Sequence, residues 1–398
     1  MEIIDRILRE ACEWPLSLSG AERQVLIAST LVCKSWFPVA RHLLYYSVIV
    51  ENSCTYASRN PGTFLPEALL QQSHLLEFTR SLSIRVLGRS TATLPLFSED
   101  DAPDGSREYV RIPDFFSLFA HTPRLRYLKL SVDFARDNIG PFEPHILDWL
   151  SSLALPIEAL DFDDWGLFNS VFVYDLVCIW PTIQALRVVT RYNGLPLERP
   201  SISLRELRLP TTSLAATVIE WLLPPPQPNK QSNLRFLELY EIPEEARTVL
   251  SVHGPSVSAL TLRRQPAFEI AHLFTTLEEL VIAGSFWRSP LPAFPTTLKH
   301  IRIRVPAFMS KSAVPAIARM LPMLPDLRVL SIEKALTANE HYPDLQEACV
   351  THRVEILVEI PVYPVDSSGR RVVSTRQSFR LVCDVYHSLI TAISIPIT

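Results

Sequence analysis

A six-residue pattern, L-x-x-L-x-L, recurs along this chain and limits what it can fold into. It is clearest at Leu234–Leu239 (LRFLEL), where Leu234, Leu237 and Leu239 are the apolar positions. The last four residues alternate with period two, which sends Leu237 and Leu239 to one face of a strand. Eight further copies start at Leu125, Ile157, Ile183, Leu204, Val257, Leu277, Leu298 and Leu327, and weaker ones start at Thr79 and Thr351. Successive starts among the nine clear copies lie 20 to 32 residues apart, room for one strand, one turn and one short helix. Such a unit cannot bury its apolar side alone, but stacked copies can. The expectation is therefore a set of neighbouring parallel strands. Leu128, Leu160, Leu186, Leu207, Leu237, Leu260, Leu280, Ile301 and Leu330 would point inward.

Between the copies lie helix-like stretches around Ile146–Leu150, Tyr174–Trp180, Val218–Leu222, Ile270–Phe274 and Val314–Leu321. Proline often stands just ahead of a copy, at Pro123, Pro156, Pro181, Pro255, Pro295 and Pro325, where it ends the preceding helix. The chain has 33 prolines and only 10 glycines, a balance that favours short, firmly ended elements over glycine-rich phosphate loops.

At 398 residues and 47% hydrophobic, the chain has ample material for a core. A net charge of -4 with both signs abundant does not favour nucleic acid as a partner. No apolar run is long enough to span a membrane, and the start Met1-Glu2 lacks the basic residues of a signal peptide. The six cysteines are scattered without C-x-x-C spacing, which fits a reducing compartment, the cytoplasm or nucleus. No phosphate-loop, dinucleotide, zinc-protease or nucleophile-elbow motif occurs, so neither an enzyme nor a cofactor is expected.

Residues 1–50 read differently from the rest. Ile3, Ile4, Ile7, Leu8 and Ala11 follow helical spacing up to Pro15. Ser19-Gly20-Ala21-Glu22 has the form of a capping box opening a second helix. Ser35 can cap a third, with Pro38 in its first turn, and Val48-Ile49-Val50 reads as a strand.

Within this stretch Leu31–Val50 (LVCKSWFPVARHLLYYSVIV) resembles the second half of the F-box. The likeness is to fungal, basidiomycete-type F-box proteins with C-terminal leucine-rich repeats. Glu2-Ile3-Ile4 and Ile7-Leu8 stand where that motif has its Glu-Ile-Leu start, while the Leu-Pro that usually precedes it is missing. The hexamers resemble the irregular, helix-containing leucine-rich repeats, although the usual Asn or Cys after the last Leu is mostly absent. The resemblance implies an α/β fold, a three-helix F-box-like head followed by an irregular leucine-rich-repeat solenoid. Parallel strands would line one face, with helices and turns on the other. The expected organisation is an F-box-like domain at 1–50, a solenoid at 51–360 and a C-terminal cap or tail at 361–398. An acidic, disordered insertion is expected at 88–110.

The resemblance also implies a function. The chain would be the substrate receptor of a Skp–cullin–F-box ubiquitin ligase, the head binding a Skp-type adaptor and the repeats a target protein. The alternative is a non-catalytic repeat scaffold whose degenerate F-box joins no ligase. Adaptor contacts would fall on Ile3, Ile7, Leu8, Leu31, Val32 and Trp36, with Trp36 serving equally well as a core residue. Cys33 would lie in the apolar helix junction as a small hydrophobe. The third and fifth positions of each hexamer point away from the leucines. Either they form an ordinary solvated face or they hold the target, with Arg187, Arg208, Phe236, Glu238, His300 and Arg302 as candidate contacts. Of the cluster Asp161, Asp163 and Asp164, two fall at alternating positions on that face, and the cluster is expected to be solvated rather than to bind a cation.

Overall fold

A computed structural model describes residues 2–11, 20–51, 63–64, 69–87, 117–133, 144–164, 172–189, 195–210, 216–226, 231–263, 272–283, 294–304 and 310–359. The acidic stretch 88–110, the tail 361–398 and the capping serine Ser19 lie outside these residues. The described chain is α/β and falls into two compact units, one ending at Ile202 and the other beginning at Ser203.

The first unit opens with three helices, α1 (Glu2–Ala11), α2 (Gly20–Val32) and α3 (Phe37–Tyr46). Strands β1 (Ser47–Glu51) and β2 (Thr63–Phe64), the single turn α4 (Ser73–Leu76), β3 (Ser81–Leu87) and β4 (Tyr127–Asp133) come next. The unit continues with α5 (Pro144–Ser152), β5 (Ala159–Asp164), α6 (Phe172–Ile179) and β6 (Ala185–Val189). Its strands lie in the order β2-β1-β3-β4-β5-β6, all pairs parallel.

The second unit holds β7 (Glu206–Leu209), α7 (Ala216–Leu222), β8 (Phe236–Leu239), α8 (Arg247–His253), β9 (Ala259–Leu262), β10 (Glu279–Ala283) and β11 (His300–Arg304). It ends with α9 (Ser310–Met320), β12 (Val329–Glu333), α10 (Tyr342–His352) and β13 (Glu355–Glu359). Here β7 to β13 pair in chain order, again all parallel.

The hexamer register is the register of the sheet. Leu82, Leu128, Leu160 and Leu186 are aligned partners in the first unit. Leu207, Leu237, Leu260, Leu280, Ile301 and Leu330 are aligned in the second. All nine expected inward residues have no solvent exposure. Burial of each is worth ~1.5–3 kcal/mol. The prolines also act locally. The N–H of Leu125, Ile183, Val257 and Leu327 each donates to the carbonyl three residues back, on Thr122, Trp180, Gly254 and Leu324, closing turns whose second residue is Pro123, Pro181, Pro255 or Pro325. Proline's fixed φ suits that position. Hydroxyls tie neighbouring copies together as well. Thr182, Thr276 and Thr297 donate to the carbonyls of Ile157, Val257 and Leu277, the first residues of the preceding copies.

Two expectations need correction. The third helix has Trp36, not Ser35, at its N-cap, with no side-chain cap; a turn accepting on the Cys33 carbonyl starts it instead. α3 runs directly into β1 and packs on the residues just ahead of β3. His42 meets Phe78 edge-on at 5.4 Å, and Thr79 Oγ1 donates to the Tyr45 carbonyl at 2.9 Å. The last weak copy is shifted by two residues: Ile356, not Val354, aligns with Leu330. Arg353, in the left-handed region at φ 57, ends α10 and sets that register. A slip of two keeps the same face inward, so Val354 remains buried.

Candidate partner-binding surfaces

The helices at the start of the first unit build a small core of their own. Leu8, Leu26, Val39, Ala40 and Leu43 form it, with Ile4, Trp36 and Leu44 packed around. Ile4 and Leu8, one turn apart, pack inward, and Ile3 and Ile7 flank that stripe. Ile3 is 75% exposed and Ile7 48%. At the end of α2, Leu31 is 83% exposed and Val32 63%. Val25, Ile27 and Phe37 are exposed too, and the Arg41 guanidinium sits 5.8 Å from the Phe37 ring centre.

Among the expected adaptor contacts, Ile3, Ile7, Leu31 and Val32 are therefore free to touch a partner. Leu8 is not; at 2% exposure it belongs to the core. Trp36 is half-buried against that core. Cys33, expected in the apolar junction, is exposed, because it lies in the turn between α2 and α3.

The face opposite the leucines differs more from expectation. Asp161 and Asp163 are buried, as are Glu206, Arg208, Phe236 and Glu238. Adjacent strands place opposite charges in register, and the charges neutralise one another. Lys129 aligns with Asp161, and Asp161 with Arg187. Arg187 Nη1 donates to Asp161 Oδ1 at 2.6 Å and reaches Asp163 Oδ2 at 3.4 Å. The Tyr127 hydroxyl donates to Asp161 Oδ2 at 3.3 Å, and Lys129 Nζ stands 4.0 Å from that oxygen. Burial lowers the Lys129 pKa and raises that of Asp163, against the pull of Asp161 on the first and of Arg187 on the second.

The second unit carries its own network. Arg208 donates Nε to Glu206, and its Nη1 lies 3.7 Å from Glu238. The Arg208 guanidinium lies 4.4 Å from the centre of the Phe236 ring. Arg263 adds two donors to Glu238, at 3.3 and 3.2 Å. Farther along, His300 Nε2 is 2.8 Å from Ser331 Oγ, and Arg302 Nε is 2.7 Å from Glu359.

The candidate target contacts thus divide. Arg208, Phe236 and Glu238 are internal members of a charge network, whereas Arg187, His300 and Arg302 are partly exposed. Close-packed neighbours replace solvent around the buried side chains, and each carboxylate is paired because an unpaired buried charge is costly. The pairing had a sequence signal, in the alternation Lys129, Asp161, Arg187 and in Glu206, Arg208, Glu238.

No protein-family model matches the chain, and no curated protein matches its sequence.

Proposed function

We propose that the chain is the substrate-receptor subunit of a Skp–cullin–F-box ubiquitin ligase, a non-catalytic protein of the F-box and leucine-rich-repeat type. The observation that carries this reading is the distribution of exposed apolar side chains. Of fourteen large ones exposed among the described residues, seven lie in the first fifty: Ile3, Ile7, Val25, Ile27, Leu31, Val32 and Phe37. A stretch that buries a complete small core and still leaves so much apolar surface in water is built for a partner. Ile3, Ile7, Leu31 and Val32 coincide with the F-box resemblance, and a Skp-type adaptor is the partner it implies.

The aligned parallel strands support a leucine-rich-repeat reading of the remainder. A target would meet the face where His300 and Arg302 are partly exposed. The contribution to ubiquitin transfer is proximity, since holding a target lysine near the loaded ubiquitin carrier raises its effective concentration. Co-expression with a Skp-type adaptor followed by affinity capture tests the assignment. Stoichiometric co-purification is the expected result. Failure of a folded chain to retain the adaptor would leave the repeat scaffold as the remaining reading.

A further inference from the structure

The turn between α2 and α3 joins exposed apolar side chains to charge of one sign. The N–H groups of Trp36 and Phe37 donate to the Cys33 carbonyl at 3.1 and 3.2 Å, which leaves Lys34 and Ser35 at the tip of the turn. Lys34 is exposed and stands between the exposed Leu31 and Val32 on one side and the exposed Phe37 on the other. One helical turn beyond Phe37, the Arg41 guanidinium lies 5.8 Å from the centre of its ring. Both cations therefore border apolar surface. Among the described residues neither forms an ion pair. On the sheet, by contrast, Arg126, Lys129, Arg187, Arg208 and Lys299 each have a carboxylate within 4.0 Å. The sequence from Arg23 to Val50 contains no Asp or Glu, so this stretch supplies no counter-charge of its own.

A partner that covers Leu31, Val32 and Phe37 also takes water from Lys34 and Arg41. Desolvating a cation without a counter-charge is costly, and a carboxylate on the partner offsets that cost. An anionic lipid surface would match the sign as well, but two features favour a protein. Lipid-binding basic segments use clusters of about four to eight cations, and here there are two. The exposed apolar residues are also spread over three helices built on a packed core, not along one face of a single interfacial helix.

We propose that the adaptor surface meeting the α2–α3 turn carries Asp or Glu side chains that pair with Lys34 and Arg41. These pairs set how fast the complex forms, whereas the apolar side chains set how long it lasts. The identity of the partner rests on the ligase reading; its charge is read from this chain alone.

Association and dissociation rates of a Skp-type adaptor with the full chain, measured across ionic strength, test the inference. The natural chain is compared with Lys34→Glu, Arg41→Glu and with Lys34→Arg, Arg41→Lys, which keeps both charges. At low salt the charge-reversed chain should associate about tenfold more slowly. The difference should close at about 0.5 M salt, where screening confines such forces to a few ångströms. Dissociation should change less than association, and the charge-keeping variant should match the natural chain. If the charge-reversed double variant fails to fold, Lys34→Glu alone decides, because Lys34 is exposed. Adaptor binding with an association rate indifferent to salt and to these charges overturns the inference and leaves the ligase reading standing. No adaptor binding by the natural chain at any salt overturns both. Capture by vesicles of phosphatidylserine and phosphatidylcholine in place of the adaptor overturns the inference as well and assigns the face to lipid.

Discussion

The helical head and the strands beyond it treat apolar side chains in opposite ways. In the strands every residue at the fourth position of the nine clear hexamers is fully buried. In the head, Leu8 and Leu26 are buried, yet Ile3, Leu31 and Val32 stand in water at 63% exposure or more. The strands satisfy their apolar side with one another and, on the opposite face, satisfy their charges as well. The head satisfies only its inner stripe. A partner-seeking surface is thus better sought on the helices than along the charged row, much of which is already engaged.

Substitutions can break this comparison. The largest effect is expected at Asp161. Asp161→Ala leaves Arg187 and Lys129 without their main carboxylate at a site with no solvent access. Chemical denaturation should show a loss of about 3–5 kcal/mol. A loss below about 0.5 kcal/mol would return the row to the solvated surface anticipated from the sequence. Leu237→Ala should cost ~2–5 kcal/mol by the same measurement, through the cavity left between Leu207 and Leu260.

The next effect depends on pH. His253 is buried with Ser232 Oγ 2.8 Å from its Nδ1, and burial lowers its pKa below 6.5. The unfolded chain therefore takes up this proton first as the pH falls. Stability present above about pH 6.5 is lost below it. The urea midpoint should fall between about pH 7.5 and about pH 5.5, and fall less in His253→Gln. An equal fall in both proteins would remove His253 from the account. The smallest effect is expected in the head. Leu31→Ala with Val32→Ala should change stability by only about 0.5 kcal/mol, because neither side chain is packed. A much larger loss would mean that these residues are structural and would erase the contrast.

The strand register was legible because two signals agree, period two within each hexamer and a roughly constant step between hexamers. The register of β13 was misread by two residues because Thr351-His352-Arg353 belongs to the end of α10, and sequence pattern marks helix ends poorly. The head was legible in kind but not in orientation. Ile3/Ile7 and Ile4/Leu8 have the same i,i+4 spacing, and only packing against Leu26 and Leu43 settles that Leu8 turns inward. The charged face was misjudged for a different reason. Alternation places Asp161 away from the leucines, but its burial depends on Arg187 and Lys129 arriving beside it from copies 26 and 32 residues away. Polarity alone does not report such pairing.

The central claim is that the exposed apolar residues of α1 and α2 form a docking surface. Titration of a Skp-type adaptor onto the folded chain and onto the Leu31→Ala, Val32→Ala variant tests it most directly. The account predicts adaptor binding by the natural chain and about 30- to 1000-fold weaker binding by the variant, with an unchanged melting curve. Equal affinity in the two proteins would contradict it.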